Sequence, residues 1–269
     1  MAATSANAAD KTLDRTFTVA EGGALIVEAD SASVRVSGGD TNQVTVHMIA
    51  RGSEADLATE KLDAFQKGDS VTVTMRRPEK RKWFSWNSWT SEERIEVTVP
   101  RRYRISVQTG GGSVELSDTA GAATLHTSGG SIDVRKVTGN VEARTSGGGI
   151  HADTIRGDVD ADTSGGGLRL LNIDGKISGH TSGGSVHCSL VGINRGISAL
   201  TSGGEIELIL PRATTATIDA TTSGGGITTG LPVSATIRKD DRLEGTLNGG
   251  GQPIEAHTSG GGISLRAAD

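Results

Sequence analysis

The sequence predicts an all-β protein, a parallel β-helix (β-solenoid) of about 18-residue coils, and three observations predict it. Thr-Ser-Gly-Gly begins at Thr127, Thr145, Thr163, Thr181, Thr201, Thr222 and Thr258, and Thr-Gly-Gly-Gly begins at Thr109. In chain order these eight starts are 18, 18, 18, 18, 20, 21 and 36 residues apart, the last interval being twice 18. Five residues after each threonine stands a branched aliphatic: Val114, Ile132, Ile150, Leu168, Val186, Ile206, Ile227 or Ile263. The composition agrees: of 269 residues, 39 are Gly, 5 Pro, and only three Trp, three Phe and one Tyr are present. Without a Gly-X-Y period this is not collagen, and regularly placed Val and Ile argue against disorder.

Residues 1–9 read as a signal-peptide remnant or a flexible tail. Ala6-Asn7-Ala8 fits the small-x-small cleavage pattern of exported proteins, although no apolar stretch precedes it. A mature chain beginning near Ala9 and residing in the periplasm or on a bacterial cell surface is the expectation. No apolar run approaches the roughly 20 residues of a membrane-spanning helix.

Residues 10–108 read as irregular coils. Alternating stretches such as Ser33-Val-Arg-Val36, Val71-Thr-Val-Thr-Met75 and Ile95-Glu-Val-Thr-Val99 predict strands without the strict period. A short helix is expected over about 54–67, with Ser53 as its cap, Leu57, Leu62 and Phe65 as its apolar side and Gly68 as its stop. It would cover an open end of the solenoid, whose exposed strand edges invite aggregation.

Within this third lies the most unusual segment, a Trp-rich loop over 76–94. Arg76, Arg77, Lys80, Arg81 and Lys82 precede Trp83, Phe84, Trp86 and Trp89, so all three Trp fall within seven residues. Between Arg76 and Arg104 nine Lys/Arg face four Asp/Glu, a local +5 on a chain whose net charge is −5. A thin glycine-rich solenoid has little room to bury so many rings, and exposed apolar clusters usually contact something. Trp beside Lys and Arg suits lipid head groups, where rings sit at the interface and cations meet phosphate. It also suits stacking on a glycan or filling the groove of an envelope protein. Alternatively, the loop folds back as a local cap. Single-stranded nucleic acid is disfavoured by the acidic body and the export pattern.

Residues 109–269 read as regular β-helix repeats. A nine-residue half-period relates Gly130 to Gly139, Ile132 to Val141 and Val134 to Ala143, so each unit holds two turns and two short strands. Such a unit cannot bury its apolar face alone, but copies stacked at about 4.8 Å build a continuous core. The aliphatics then form two ladders, 114–132–150–168–186 and 119–137–155–173–191, over roughly nine coils. Glycine pairs fall at corners needing positive φ or close backbone approach. Stacked threonines belong in corners or inside rather than on an ice-binding face.

This arrangement removes several chemistries. The single Cys188 shares a column with Leu116, Val134, Leu170 and Leu208, so it is read as a buried small hydrophobe and not a nucleophile. The position after the ladder aliphatic is Asp133, His151, Arg169, His187 and Glu207, which is no acidic ladder for calcium. His126 and His180 stand three coils apart, too far to share a metal. Asp160 neighbours the column of Glu142, yet no acid, base and positioning cation converge there, so no catalytic residue, metal or cofactor is assigned.

The Thr-Ser-Gly-Gly-x-Ile coils, the segment Leu243-Glu-Gly-Thr-Leu-Asn-Gly-Gly-Gly251 and the closing Ile254-Glu-Ala-His-Thr-Ser-Gly-Gly-Gly-Ile-Ser-Leu265 resemble the bacterial "putative adhesin" β-strand-repeat family, a domain of unknown function. The resemblance is strongest from about 95 to 266. It implies a single-stranded right-handed β-helix of the bacterial envelope, linked with adhesion or envelope stress, and brings no catalytic residues. The Trp-rich loop is outside the family pattern. The sequence is therefore read as a non-enzymatic exported adhesin or envelope-binding module making contact through that loop. A structural, self-assembling envelope scaffold is the second reading, and a polysaccharide-active enzyme the third.

Overall fold

The computed structural model describes residues 9–77 and 92–268. Alternation within the repeat strands, broken only at the left-handed residues of the longer ones, sends one side chain inward and the next outward, so two sheets meet across a shared apolar core. Among the described residues one sheet has twelve strands and the other thirteen, and most neighbours are parallel. Each coil gives one strand to each sheet. In the thirteen-stranded sheet Thr127 lies opposite Thr145 and Leu125 opposite Ala143. In the twelve-stranded sheet Ile132 lies opposite Ile150 and Val134 opposite Ala152. The ladder of Val114, Ile132, Ile150, Leu168, Val186, Ile206 and Ile263 is buried throughout, and Cys188 lies in the neighbouring buried column.

The corners explain the Thr-Ser-Gly-Gly motif. Each repeat threonine is buried and donates its hydroxyl to a carbonyl of the adjoining coil: Thr127 to Gly112 at 2.8 Å, Thr163 to Gly148 at 2.7 Å, Thr181 to Gly166 at 2.7 Å. In the seven Thr-Ser-Gly-Gly corners the same oxygen accepts the amide three residues on, as Thr181 does from Gly184 at 3.3 Å. Valine could fill the space but not satisfy these groups. The second motif glycine is required by close approach: a Cβ on Gly184 would stand 2.3 Å from the Gly166 carbonyl oxygen. Left-handed backbone occurs at the opposite corner, on Asp118, Lys136, Thr154 and Asn172, with φ of 58, 53, 61 and 54°.

The structure corrects the sequence reading at three places. The expected helix over 54–67 is a single turn, Glu54–Leu57, followed by the strand Lys61–Lys67. That strand pairs antiparallel with Ser70–Arg76 through a tight turn in which Gly68 has φ of +60°. The apolar residues 57, 62 and 65 do not form one side: Leu57 is buried, while Phe65 is 48% exposed on the outer face. Pairing satisfies the edge amides of Ser70–Arg76, which an isolated short helix would leave open.

The coils, secondly, are not stacked in chain order. Pro253–Thr258 lies between Ile197–Thr201 and Ala216–Thr222, and Ile263–Ala267 lies between Ile206–Leu210 and Ile227–Thr229. The hydroxyls report this order, with Thr258 donating to Gly204 at 2.8 Å and Thr222 to Gly261 at 2.6 Å. The 36-residue interval is therefore one coil plus the hairpin of Val233–Arg238 and Arg242–Leu247, which covers the end of the thirteen-stranded sheet. The motif threonines thus mark eight coils, not nine, with the remaining residues spent on the hairpin.

The other end mirrors this. The coil of Ala24–Ala29 and Ser33–Gly39 is inner, and the coil of Ser70–Arg76 and Glu92–Pro100 stacks outside it. Antiparallel Gln43–Gly52 and Ala9–Thr18 then close the twelve-stranded sheet, as Lys61–Lys67 closes the other.

The third correction concerns the second aliphatic ladder. Val137, Ile155 and Ile173 align, but the register shifts and Leu190, not Val191, faces Ile173. The extra residues of this longer unit bulge outward, leaving Val191 and Ile193 exposed. Asn194 anchors the bulge through the carbonyls of Gln252, at 2.8 Å, and Thr215, at 3.2 Å.

Candidate functional site: the root of the Trp-rich segment

The outermost coil at the N-terminal end carries an enlarged corner. Met75 stands opposite Ala29, and Ala29 opposite Thr109, so Met75 holds the place of a motif threonine. Ile95 stands opposite Val34, and Val34 opposite Val114, so Ile95 holds the place of the ladder aliphatic. A regular corner spans five residues between these places; here the chain spans 20, a difference of 15. The Trp-rich sequence thus enters the fold where other coils have Ser-Gly-Gly.

At the root, Arg77 joins the two ends of the corner. Its Nη2 pairs with Glu93 and its Nε with Glu60 Oε2 at 3.2 Å, while its backbone amide donates to Asp30 Oδ2 at 2.7 Å. Glu60 and Glu93 are only 4% and 8% exposed. Buried carboxylates require a cation and hydrogen bonds, which Arg77 and the Ser31 hydroxyl, 2.6 Å from Glu93 Oε2, provide. Lys11 Nζ completes the frame by donating to the Leu57 carbonyl at 3.2 Å and to that of Glu60. Arg76 pairs with Glu28, beside a groove of about 260 Å³ lined by Glu28, Ala29, Asp30, Arg76 and Gln108.

Of the residues singled out by sequence, Arg76 and Arg77 therefore hold the scaffold side of the corner. Lys80, Arg81, Lys82, Trp83, Phe84, Trp86 and Trp89 lie outside the described residues. Sequence reasoning passed over Glu60, Glu93 and Asp30. One signal was present: Glu93 alternates with Ile95, Val97 and Val99, which puts a carboxylate on an inward face.

The other candidate groups are occupied elsewhere. Burial pushes the Cys188 thiol up to about 12, leaving it unreactive as a nucleophile. Glu142 and Asp160 are neighbours, as are Arg144 and Asp162. Arg144 pairs with Glu142 and lies 3.3 Å from Asp160, so both carboxylates are engaged by one guanidinium. Among the described residues no group of three His, Cys, Asp or Glu could hold a metal ion, and no helix is long and apolar enough to cross a membrane.

The profile of the Toastrack DUF4097 family matches residues 24–266. The chain belongs to that family. No curated protein matches it. Among solved structures, a "putative adhesin" from Bacteroides fragilis is 13% identical with a TM-score of 0.50, covering 96% of this chain and 97% of its own. At that identity the likeness speaks for a shared fold alone. A "putative lipid binding protein" from Parabacteroides distasonis is 15% identical over 96% of this chain and 97% of its own, with a TM-score of 0.40. A "putative adhesin" from Parabacteroides merdae is 10% identical over the same shares, with a TM-score of 0.34.

Proposed function

We propose that this Toastrack protein is a non-enzymatic, exported envelope-binding module, adhesin-like in role, that makes contact through its Trp-rich segment. The observation that carries the reading is the enlarged corner. Fifteen residues beyond the regular five are placed where the outermost coil can spare them, and they hold the chain's three Trp with a cluster of basic residues. The corner's two described ends are tied together by Arg77, which pairs with the buried Glu60 and Glu93. Rings beside cations favour anionic lipid head groups or glycans at the bacterial surface or in the periplasm. The adhesin designation of the Bacteroides fragilis protein accords with this role. Right-handed winding of the coils is part of the same reading.

The test is sedimentation of the chain with liposomes, lipopolysaccharide and insoluble peptidoglycan, beside a Trp83→Ala, Trp86→Ala, Trp89→Ala variant. Binding lost by the variant at unchanged melting temperature supports the module. An equal loss of stability assigns the segment to capping. Concentration-dependent growth in mass by light scattering, with no envelope binding, would favour the self-assembling scaffold.

A further inference from the structure

The outward position after each ladder aliphatic forms a row with mirror order on the twelve-stranded sheet. Across five neighbouring strands the register aligns Asp133, His151, Arg169, His187 and Glu207. Both histidines turn Nδ1 away from the centre: His151 lies 3.3 Å from Asp133 Oδ2, and His187 lies 3.0 Å from Glu207 Oε2. A carboxylate at Nδ1 keeps the neutral ring's proton there and leaves Nε2 open. Neither Nε2 has a partner among the described residues. The exposed Arg169 guanidinium has none either.

Arg35 shows how different this is. It occupies the same row between Glu96 and Glu115 and bonds Glu115 at 2.7 Å. Arg169 instead stands between two groups that are neutral or cationic, never anionic. On one flank Gly149, Gly167 and Ser185 precede the three central residues by two positions, so no bulky side chain walls the approach. On the other, Asp153 is engaged by Asn172 Nδ2 at 2.9 Å and Thr154 Oγ1 at 3.0 Å. The charged groups facing His151 are thus Asp133, Asp153 and Arg169, with Arg135 beside Asp153. Those facing His187 are Arg169 and Glu207, with Glu205 alongside and Arg266 bonded to Glu207 at 3.0 Å. Beyond His187 opens a groove of about 350 Å³ whose floor includes Thr228, Ser264 and Arg266.

We propose that Arg169, flanked by His151 and His187, is a binding site for a phosphodiester-type oxyanion, gripped more tightly on acidification. The guanidinium fork matches two oxygens of one phosphate. Each ring stands one strand spacing away, about 4.8 Å, on either side. Neutral rings offer lone pairs at Nε2 and repel the anion; protonated rings offer N–H donors to it. The site is independent of the Trp-rich segment and goes beyond the contact proposed there.

Imidazole resonances of the full chain, titrated with dimethyl phosphate at about pH 5.5 and about pH 8, test it. A monoester loses its second proton near pH 6, whereas a diester keeps one charge, so any pH dependence reports the rings. His126, His180 and His257, in one row on the other sheet, are internal controls. Saturable shifts confined to His151 and His187, on the order of tenfold tighter at the lower pH, are expected. Arg169→Gln should abolish saturation without moving the melting temperature. His151→Gln with His187→Gln, which removes the reporting rings and is therefore followed by titration calorimetry, should leave weak binding that no longer depends on pH. Phosphatidylglycerol vesicles and soluble poly(glycerol phosphate), each compared with Arg169→Gln, distinguish a lipid from a polymer source. If only dimethyl phosphate binds, the site takes small soluble diesters. All six histidines shifting alike, or saturation surviving Arg169→Gln, overturns the proposal. The triple Trp variant should keep this site intact, which separates its failure from that of the Trp contact.

Discussion

The two ends of the solenoid share one construction and differ in what it carries. At the N-terminal end the outer coil of Ser70–Arg76 and Glu92–Pro100 comes later in sequence than the inner one. At the C-terminal end the outer coil of Ala216–Thr222 and Ile227–Thr229 comes earlier than the inner one. In both, the chain passes outward, adds antiparallel strands, and keeps one coil between its neighbours. Antiparallel covers end the run of parallel edges, which would otherwise template further pairing. The N-terminal end covers both sheets and enlarges one corner fourfold. The C-terminal end covers only the thirteen-stranded sheet and leaves the three-residue strand Ile227–Thr229 at the edge of the other. Capping is thus common to both ends, and the long corner is an addition to only one.

The sharpest way to break this symmetry is deletion. Removing residues 253–268 takes away a coil with neighbours on both sides, so hydrogen exchange of 216–247 should lose protection altogether. Removing 9–18 takes away only an edge strand and should leave every coil protected; equal damage from both deletions would contradict the proposed layering. Next in size, Gly184→Ala forces a methyl to 2.3 Å from a carbonyl oxygen and should cost roughly 3 kcal/mol in denaturant unfolding. Gly226→Ala, at the C-terminal end with nothing nearer than 3.9 Å, should stay within about 0.5 kcal/mol.

Arg77→Met strips the cation from Glu60 and Glu93. Because Arg77 is itself about one-third exposed, a loss of about 2 kcal/mol is expected rather than the full value for a buried pair. An unchanged melting temperature would mean that the corner is not held from this root. Thr181→Val leaves a buried carbonyl and amide without their hydroxyl and should cost about 1 kcal/mol, whereas Thr217→Val, on an exposed side chain, should be neutral.

The smallest effect is a pH dependence. The hydrogen bond from Arg35 holds the Glu115 carboxyl below the usual carboxylate range. A folded-state pKa below the unfolded value adds stability that is present above about pH 4.3 and disappears as pH falls through the lowered value. Both side chains are about half exposed, so Arg35→Gln should lose only a few tenths of a kcal/mol above pH 5. The variant and parent should converge in acid.

Much of the middle of the molecule was legible because period and chemistry coincide. Threonine at each corner, glycine three residues on and an aliphatic five residues on fix the register of one coil against any other. The order of coils was not legible for the same reason. The coil at Thr258 presents the same motif to Thr201 as the coil at Thr222 does, so local pattern is indifferent to which docks first; only the hairpin 233–247 decides. The segment 54–67 was misread because Leu57, Leu62 and Phe65 mimic helical spacing, whereas the open edge of Ser70–Arg76 demanded a strand. The site root was half legible. Its basic residues stand together in sequence, but Glu60 and Asp30 reach it only through folding.

The placement of Pro253–Thr258 and Ile263–Ala267 between earlier coils has a consequence for a chain that emerges from its N-terminus onward. Through Leu247, such a chain can assemble the coils as far as Leu210, but the coil of 216–229 has only its own hairpin strand Arg242–Leu247 to pair with until residues 253–267 are available. The segment 253–267, made after both of its neighbours, is thus the wedge that joins them. Completion of the core coincides with arrival of this segment, and a chain interrupted before it remains divided.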